Sequence, residues 1–167
     1  PFDYTFILPT IDNYSSIYGT GKKTYASGVT VNNYNNVSGG DHIIASGAIF
    51  NQTGGTIGQT DTLINYGIFN WKGGNISAWW CHSQPTYFTN EVGGVANFEH
   101  TANQTWYNVH FVNKGTINKT TNTITVFGTD CNTPGSFTNN GSVKGIGTLQ
   151  LNYAHTFAPA SQINPGA

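Results

Sequence analysis

The sequence predicts an all-β chain, a single-domain parallel β-helix (β-solenoid) of about seven coils with 19–26 residues per coil. Three observations lead there. Asparagines close short apolar stretches at Asn13, Asn32, Asn51 and Asn70, at equal steps of 19, and continue at Asn90, Asn113 and Asn139 with steps of 20, 23 and 26. Two residues before each stands Ile11, Thr30, Ile49, Ile68, Phe88, Phe111 or Phe137, apolar in six of the seven. Glycines follow in phase, first as Gly54-Gly55, Gly73-Gly74 and Gly93-Gly94 and then as Gly115 and Gly141.

The local chemistry favours strands. Segments such as 47–51 and 115–120 alternate β-branched or aromatic residues with small ones, and no apolar i, i+3, i+4, i+7 pattern runs for ten residues without Gly, Asn or Pro. Nineteen residues exceed a hairpin but fit one solenoid turn of three short strands and three corners, with successive coils ~4.8 Å apart. A sandwich with turns every 8 to 12 residues has no reason for such phase-locked columns. The apolar column is then expected inside, with Ile49, Ile68, Phe88, Phe111 and Phe137 nearly fully buried. The asparagine column is expected at a corner, and Gly-Gly at the next bend, where φ can be positive.

In chain order, residues 1–10 form an extended segment, 11–153 the solenoid and 154–167 a tail. Phe2, Tyr4, Phe6 and Leu8 make an aromatic-rich strand that Pro9 closes. Such a strand suits pairing with another subunit's open edge or capping its own first coil. The later coils lengthen around 82–86 and 130–135, where Pro85 and Pro134 mark loops that carry Cys81 and Cys131. These cysteines are either two thiols or one disulfide. Two coils of separation put their backbones ~9.6 Å apart, so a bond needs the loops to bend together.

Composition removes several functions. Charged residues are 8% of the chain, there is no arginine, and the net charge is −1, so no basic nucleic-acid surface can form. Asn, Thr, Ser and Gly supply the solubility, a balance typical of extracellular β-rich proteins. No apolar run approaches the ~20 residues of a membrane helix. The chain starts at Pro1 and has no methionine, which predicts a processed or trimmed product.

The stretch Asn65-Tyr-Gly-Ile-Phe-Asn-Trp-Lys-Gly-Gly-Asn-Ile-Ser77 resembles the N-W-x-G-G-x-I-S type repeat of large secreted and cell-surface right-handed β-helix proteins. Residues 111–120 and 137–151 are similar to the F-x-N-x-G-T and G-T-L-x-L units of the same adhesin-like group. The resemblance covers about 28–151. It implies a right-handed parallel β-helix used as an extracellular structural or adhesive element.

No catalytic residues, metal ligands or cofactor are expected. The carboxylates form no adjacent pair, and Asp41-His42 and Glu99-His100, the two acid–histidine neighbours, point to opposite sides of any strand. Neither cysteine has zinc spacing. Trp79, Trp80 and Trp106 could stack sugar rings if exposed. Sequons at Asn13, Asn36, Asn51, Asn75, Asn103, Asn118 and Asn140 exceed what composition alone supplies and are glycosylation candidates. The expected function is therefore a glycosylated, secreted or cell-surface structural subunit whose partners are copies of itself in a head-to-tail fibre. The alternatives are a glycan-binding adhesin module and, third, a polysaccharide-cleaving β-helix enzyme.

Overall fold

The computed structural model describes residues 2–58, 62–77, 86–129, 134–159 and 161–165. They form a parallel β-solenoid of about seven coils whose strands build three faces. The first face stacks eight strands: Tyr4–Phe6, Lys23–Tyr25, Asp41–Ile44, Thr62–Asn65, Thr86–Asn90, Val109–Asn113, Ser136–Asn139 and His155–Phe157. The second stacks Thr10–Asn13, Thr30–Asn33, Ile49–Gln52, Ile68–Trp71, Val95–Phe98, Thr116–Lys119, Ser142–Gly145 and Gln162–Pro165. The third stacks Thr56–Ile57, Asn75–Ser77, Gln104–Tyr107, Ile124–Gly128 and Thr148–Leu151, and single bridges extend it to Val37 and Ile17. No helix is long and apolar enough to cross a membrane. Strands set apart from the repeat on sequence, 4–6, 155–157 and 162–165, are paired to their neighbouring coils like the others.

The aligned asparagines belong to two different columns. Asn32, Asn51 and Asn70 lie in register on the outer side of the second face, where the residue above Asn70 is Asn97, 27 residues on. Asn90, Asn113 and Asn139 lie in register on the inner side of the first face, above Asn65. Asn13 belongs to a third row, with Asn33 and Gln52, which is buried. The step of 20 from Asn70 to Asn90 thus crosses from one face to another, and coil spacing reaches 27 because the chain is six residues longer after residue 77 and two longer between Asn90 and Val95 than in the coil before.

This crossing corrects the expected core. A strand turns alternate residues to opposite sides, so Ile49 and Ile68 point outward with Asn51 and Asn70, and Ile68 is 36% exposed. Phe50 and Phe69 between them fill the interior, in the row Val31–Phe50–Phe69–Ala96–Ile117. Ile11 belongs to that inner row, paired with Val31, while Thr30 pairs with Ile49 on the outside. On the first face the apolar-x-Asn pattern is turned over. Phe88, Phe111 and Phe137 are buried and stacked, with ring centroids 4.9 and 5.5 Å apart. Each such pair adds about 0.5–1.5 kcal/mol beyond the burial of its area.

The outer ladder sits within strands, whereas Asn65, Asn90, Asn113 and Asn139 each close a strand at a corner, as expected of the column. Other bends belong to glycine, as at Gly74, whose φ is +76° and where a Cβ would stand 2.5 Å from the carbonyl oxygen of Gly55 in the coil beneath.

Candidate functional site

Three features of the stack carry chemistry: amide ladders, buried cations and two open ends. Outside the second face, Asn32 Nδ2 donates to Asp12 Oδ1 at 2.8 Å, and Asn51, Asn70, Asn97 and Asn118 each donate to the coil before at 2.7–2.9 Å. Asn118 is followed in register by Lys144. The ladder therefore begins on a carboxylate and is followed by an ammonium. Inside the first face, Asn65, Asn90 and Asn113 each donate to the coil after, at 2.8, 2.8 and 2.6 Å, ending on Asn139.

The buried lysines replace apolar contacts with tethered charge. Lys23 Nζ donates to the carbonyl oxygens of Gly19, Gly21 and Gly39, and His42 lies above it in register. Burial, with help from the Lys23 charge, pushes His42 down to about 4. His42 Nδ1 is 3.0 Å from the Tyr25 hydroxyl, whose pKa burial raises. The second cluster joins Lys119, His100 and three threonines. Lys119 Nζ donates to Thr121 O, Thr121 Oγ1 and Thr123 Oγ1 at 2.6–2.8 Å, and burial lowers it to about 8. His100 Nε2 is 2.7 Å from Thr125 Oγ1 in the same pocket of polarity, and burial lowers its pKa as well. Both clusters lie within the coil stack, with Lys23, His42, His100 and Lys119 at most 3% exposed. The spacing of Lys and His in the sequence contained no signal of either cluster.

Trp106, expected as a sugar-stacking surface, is instead fully buried. Its ring lies 5.1–5.3 Å from those of Trp71, Phe88, Phe111 and Phe127, so the apolar interior has claimed the indole. Trp79, Trp80, Cys81 and Cys131 lie outside the described residues. An exposed aromatic pair is formed by Tyr14 and Tyr34, stacked across neighbouring coils at 4.7 Å and 4°. Among the sequons, Asn36, Asn75, Asn103 and Asn140 are exposed. Asn13, Asn51 and Asn118 commit their Nδ2 atoms to ladder bonds. Asp41 and Glu99 face outward while His42 and His100 face inward, so neither neighbouring pair forms a dyad.

The two ends of the stack expose what the middle hides. At the N-terminal end, Phe6, Ile11 and Ile17 are only partly buried, and Phe2, Tyr4, Ile7 and Leu8 are exposed. The strands Tyr4–Phe6 and Thr10–Asn13 each have one paired edge, against 23–25 and 30–33, and are terminal in their sheets. At the C-terminal end, Phe157 and Ile163 are exposed, and a cavity of about 220 Å³ opens among Phe137, Val143, Leu149, Leu151, Phe157 and Ile163. No protein-family model, curated protein or solved structure matches this chain.

Proposed function

We propose that the chain is a non-enzymatic structural subunit of an extracellular fibre, stacked head to tail on copies of itself. The observation that carries the reading is the match between its two ends. Each presents first-face and second-face strands with an unpaired edge, and each leaves apolar core rows wet. Unpaired edges and exposed apolar patches are liabilities in a lone domain and interfaces in an assembly. Joining His155–Phe157 of one copy to Tyr4–Phe6 of the next continues the parallel ladder in the same direction. A contact between two different surfaces does not close, and therefore propagates.

The sparsely charged Asn/Thr/Gly-rich surface and the exposed sequons at Asn36, Asn75, Asn103 and Asn140 support secretion and glycosylation. The adhesin alternative loses Trp106 as a sugar platform. Sedimentation velocity and negative-stain electron microscopy over a concentration series test the fibre. Rods that lengthen with concentration at constant width are expected, and a monomer at every concentration overturns the reading. Intact mass before and after deglycosylation of the protein isolated from its source tests the glycan part in the same way.

A further inference from the structure

The three faces do not end level. The first and second faces carry a further strand, His155–Phe157 and Gln162–Pro165, whereas the third face ends, among the described residues, on Thr148–Leu151. The cavity of about 220 Å³ occupies that step. Its walls are the side chains of Val143, Leu149, Leu151, Phe157 and Ile163, and the exposed Lys144 lies beside them. A cavity of about 150 Å³ already admits a benzene ring, so this one has room for a phenyl side chain.

The opposite end of the molecule carries a matching group. Each coil runs first face, second face, third face, so residues just before a first-face strand lie on the side of the third face of the coil beneath. Phe2 and Asp3 hold that position before Tyr4–Phe6. Phe2 is 80% exposed, and its backbone is seated so closely on Gly21 that a Cβ there would stand 1.8 Å from the Phe2 carbonyl oxygen. Asp3 is also exposed, with Oδ1 accepting from the Lys22 backbone N–H at 3.0 Å and Oδ2 3.9 Å from the Lys22 ammonium, and Asp12 begins the outer row that runs through Lys144 to Asn164. The N-terminal end thus presents an exposed aromatic ring and two carboxylates, one of them beside Lys22, where the step is apolar with one exposed ammonium.

We propose that the step is a socket for Phe2 of the next copy, with Lys144 facing the acidic Asp3–Asp12 edge. This rests on the head-to-tail reading and names the contact that sets its register. The ring fills the third-face position beyond Thr148–Leu151 at the junction, and the charges favour this end-to-end order over its reverse.

The experiment is a site-specific photo-cross-link. Phe2→p-benzoylphenylalanine is introduced into the full chain, and isotopically light and heavy chains are mixed before assembly and irradiation. Cross-linked peptides joining position 2 of one isotope to residues 143–163 of the other are expected. Phe2→Ala, which removes an exposed ring and leaves the coil intact by circular dichroism, is expected to raise the critical concentration for fibres about tenfold or more, as loss of a buried aromatic anchor does. Lys144→Glu is expected to weaken assembly, and Asp3→Lys with Asp12→Lys to restore it. Fibres whose cross-links stay within one chain or map elsewhere, or Phe2→Ala fibres at the unaltered concentration, overturn the socket and leave head-to-tail stacking standing. A parent chain that never assembles overturns both.

Discussion

The inner, buried asparagine ladder and the outer, half-buried one use the same side chain and the same bond to opposite effect. Inside, each of Asn65, Asn90 and Asn113 spends its amide hydrogens twice, on the next asparagine and on a backbone carbonyl, those of Val95, Thr116 and Ser142 respectively. Outside, each amide donates to its neighbour, and water is available for what is left over. The bond lengths overlap, at 2.6–2.8 Å inside and 2.7–2.9 Å outside. Geometry therefore does not rank the ladders. What does is the cost of a broken bond, since a buried polar atom left unpaired loses about 1–3 kcal/mol and an exposed one is rehydrated.

The strongest break falls beside the inner ladder. Phe111 stands two residues before Asn113 on the same side of the strand and stacks on both Phe88 and Phe137. Phe111→Ala is expected to cost about 3–5 kcal/mol in urea unfolding. A loss below ~1 kcal/mol would mean that the first-face row is not core.

Asn113→Ala comes next, at roughly 3–4 kcal/mol. It strips the donor from Asn139 Oδ1 and an acceptor from Asn90 Nδ2, and leaves a small void. Its coupling with Asn90→Ala should be clearly non-additive, because the two groups share a bond. Simple additivity in the double-mutant cycle would show that the ladder is not a cooperative unit.

Asparagine amides do not titrate, and the acid sensitivity expected here comes from the buried polar set. His42 is held near 4 against about 6.5 in the unfolded chain. Between those values the unfolded chain binds the additional proton, so stability is full above about pH 6.5, falls as the pH drops and levels off below about 4. The loss is on the order of 3 kcal/mol. His42→Gln should flatten the slope of stability against pH in that window, and a slope that survives the substitution would assign it to other groups.

The smallest effect is expected outside. Asn70→Ala interrupts the surface ladder at its centre, yet should change stability by less than about 0.5 kcal/mol, within the range of ordinary surface substitutions. A cost near that of Asn113→Ala would erase the distinction between the ladders.

Much of this architecture was legible beforehand. The recurring apolar-x-Asn triplets with glycine in phase predicted coils, parallel strands and glycine bends, and residues 65–77 carry the repeat so plainly that a resemblance could be drawn from them. The end strands were less legible, because Tyr4–Phe6 and its partner Lys23–Tyr25 share only a Thr-aromatic pair and neither carries the apolar-x-Asn signal. Lys23, His42, His100 and Lys119 were invisible as interior groups, since a lysine in a polar sequence reads as solvated until carbonyl and hydroxyl oxygens are seen to surround it.

The sequence by itself determined the periodicity and hence the class of fold, because a stack of coils repeats its local chemistry at nearly constant spacing. Only the tertiary structure decided which side of the sheet each asparagine occupies. Ile68-Phe-Asn70 and Phe88-Thr-Asn90 carry the same apolar-x-Asn spacing, but the first turns its central Phe69 inward and the second turns Phe88 and Asn90 inward. A strand's period of two is indifferent to a shift of one residue, and the insertion after residue 77 moved the visible repeat from one face to another without breaking its rhythm.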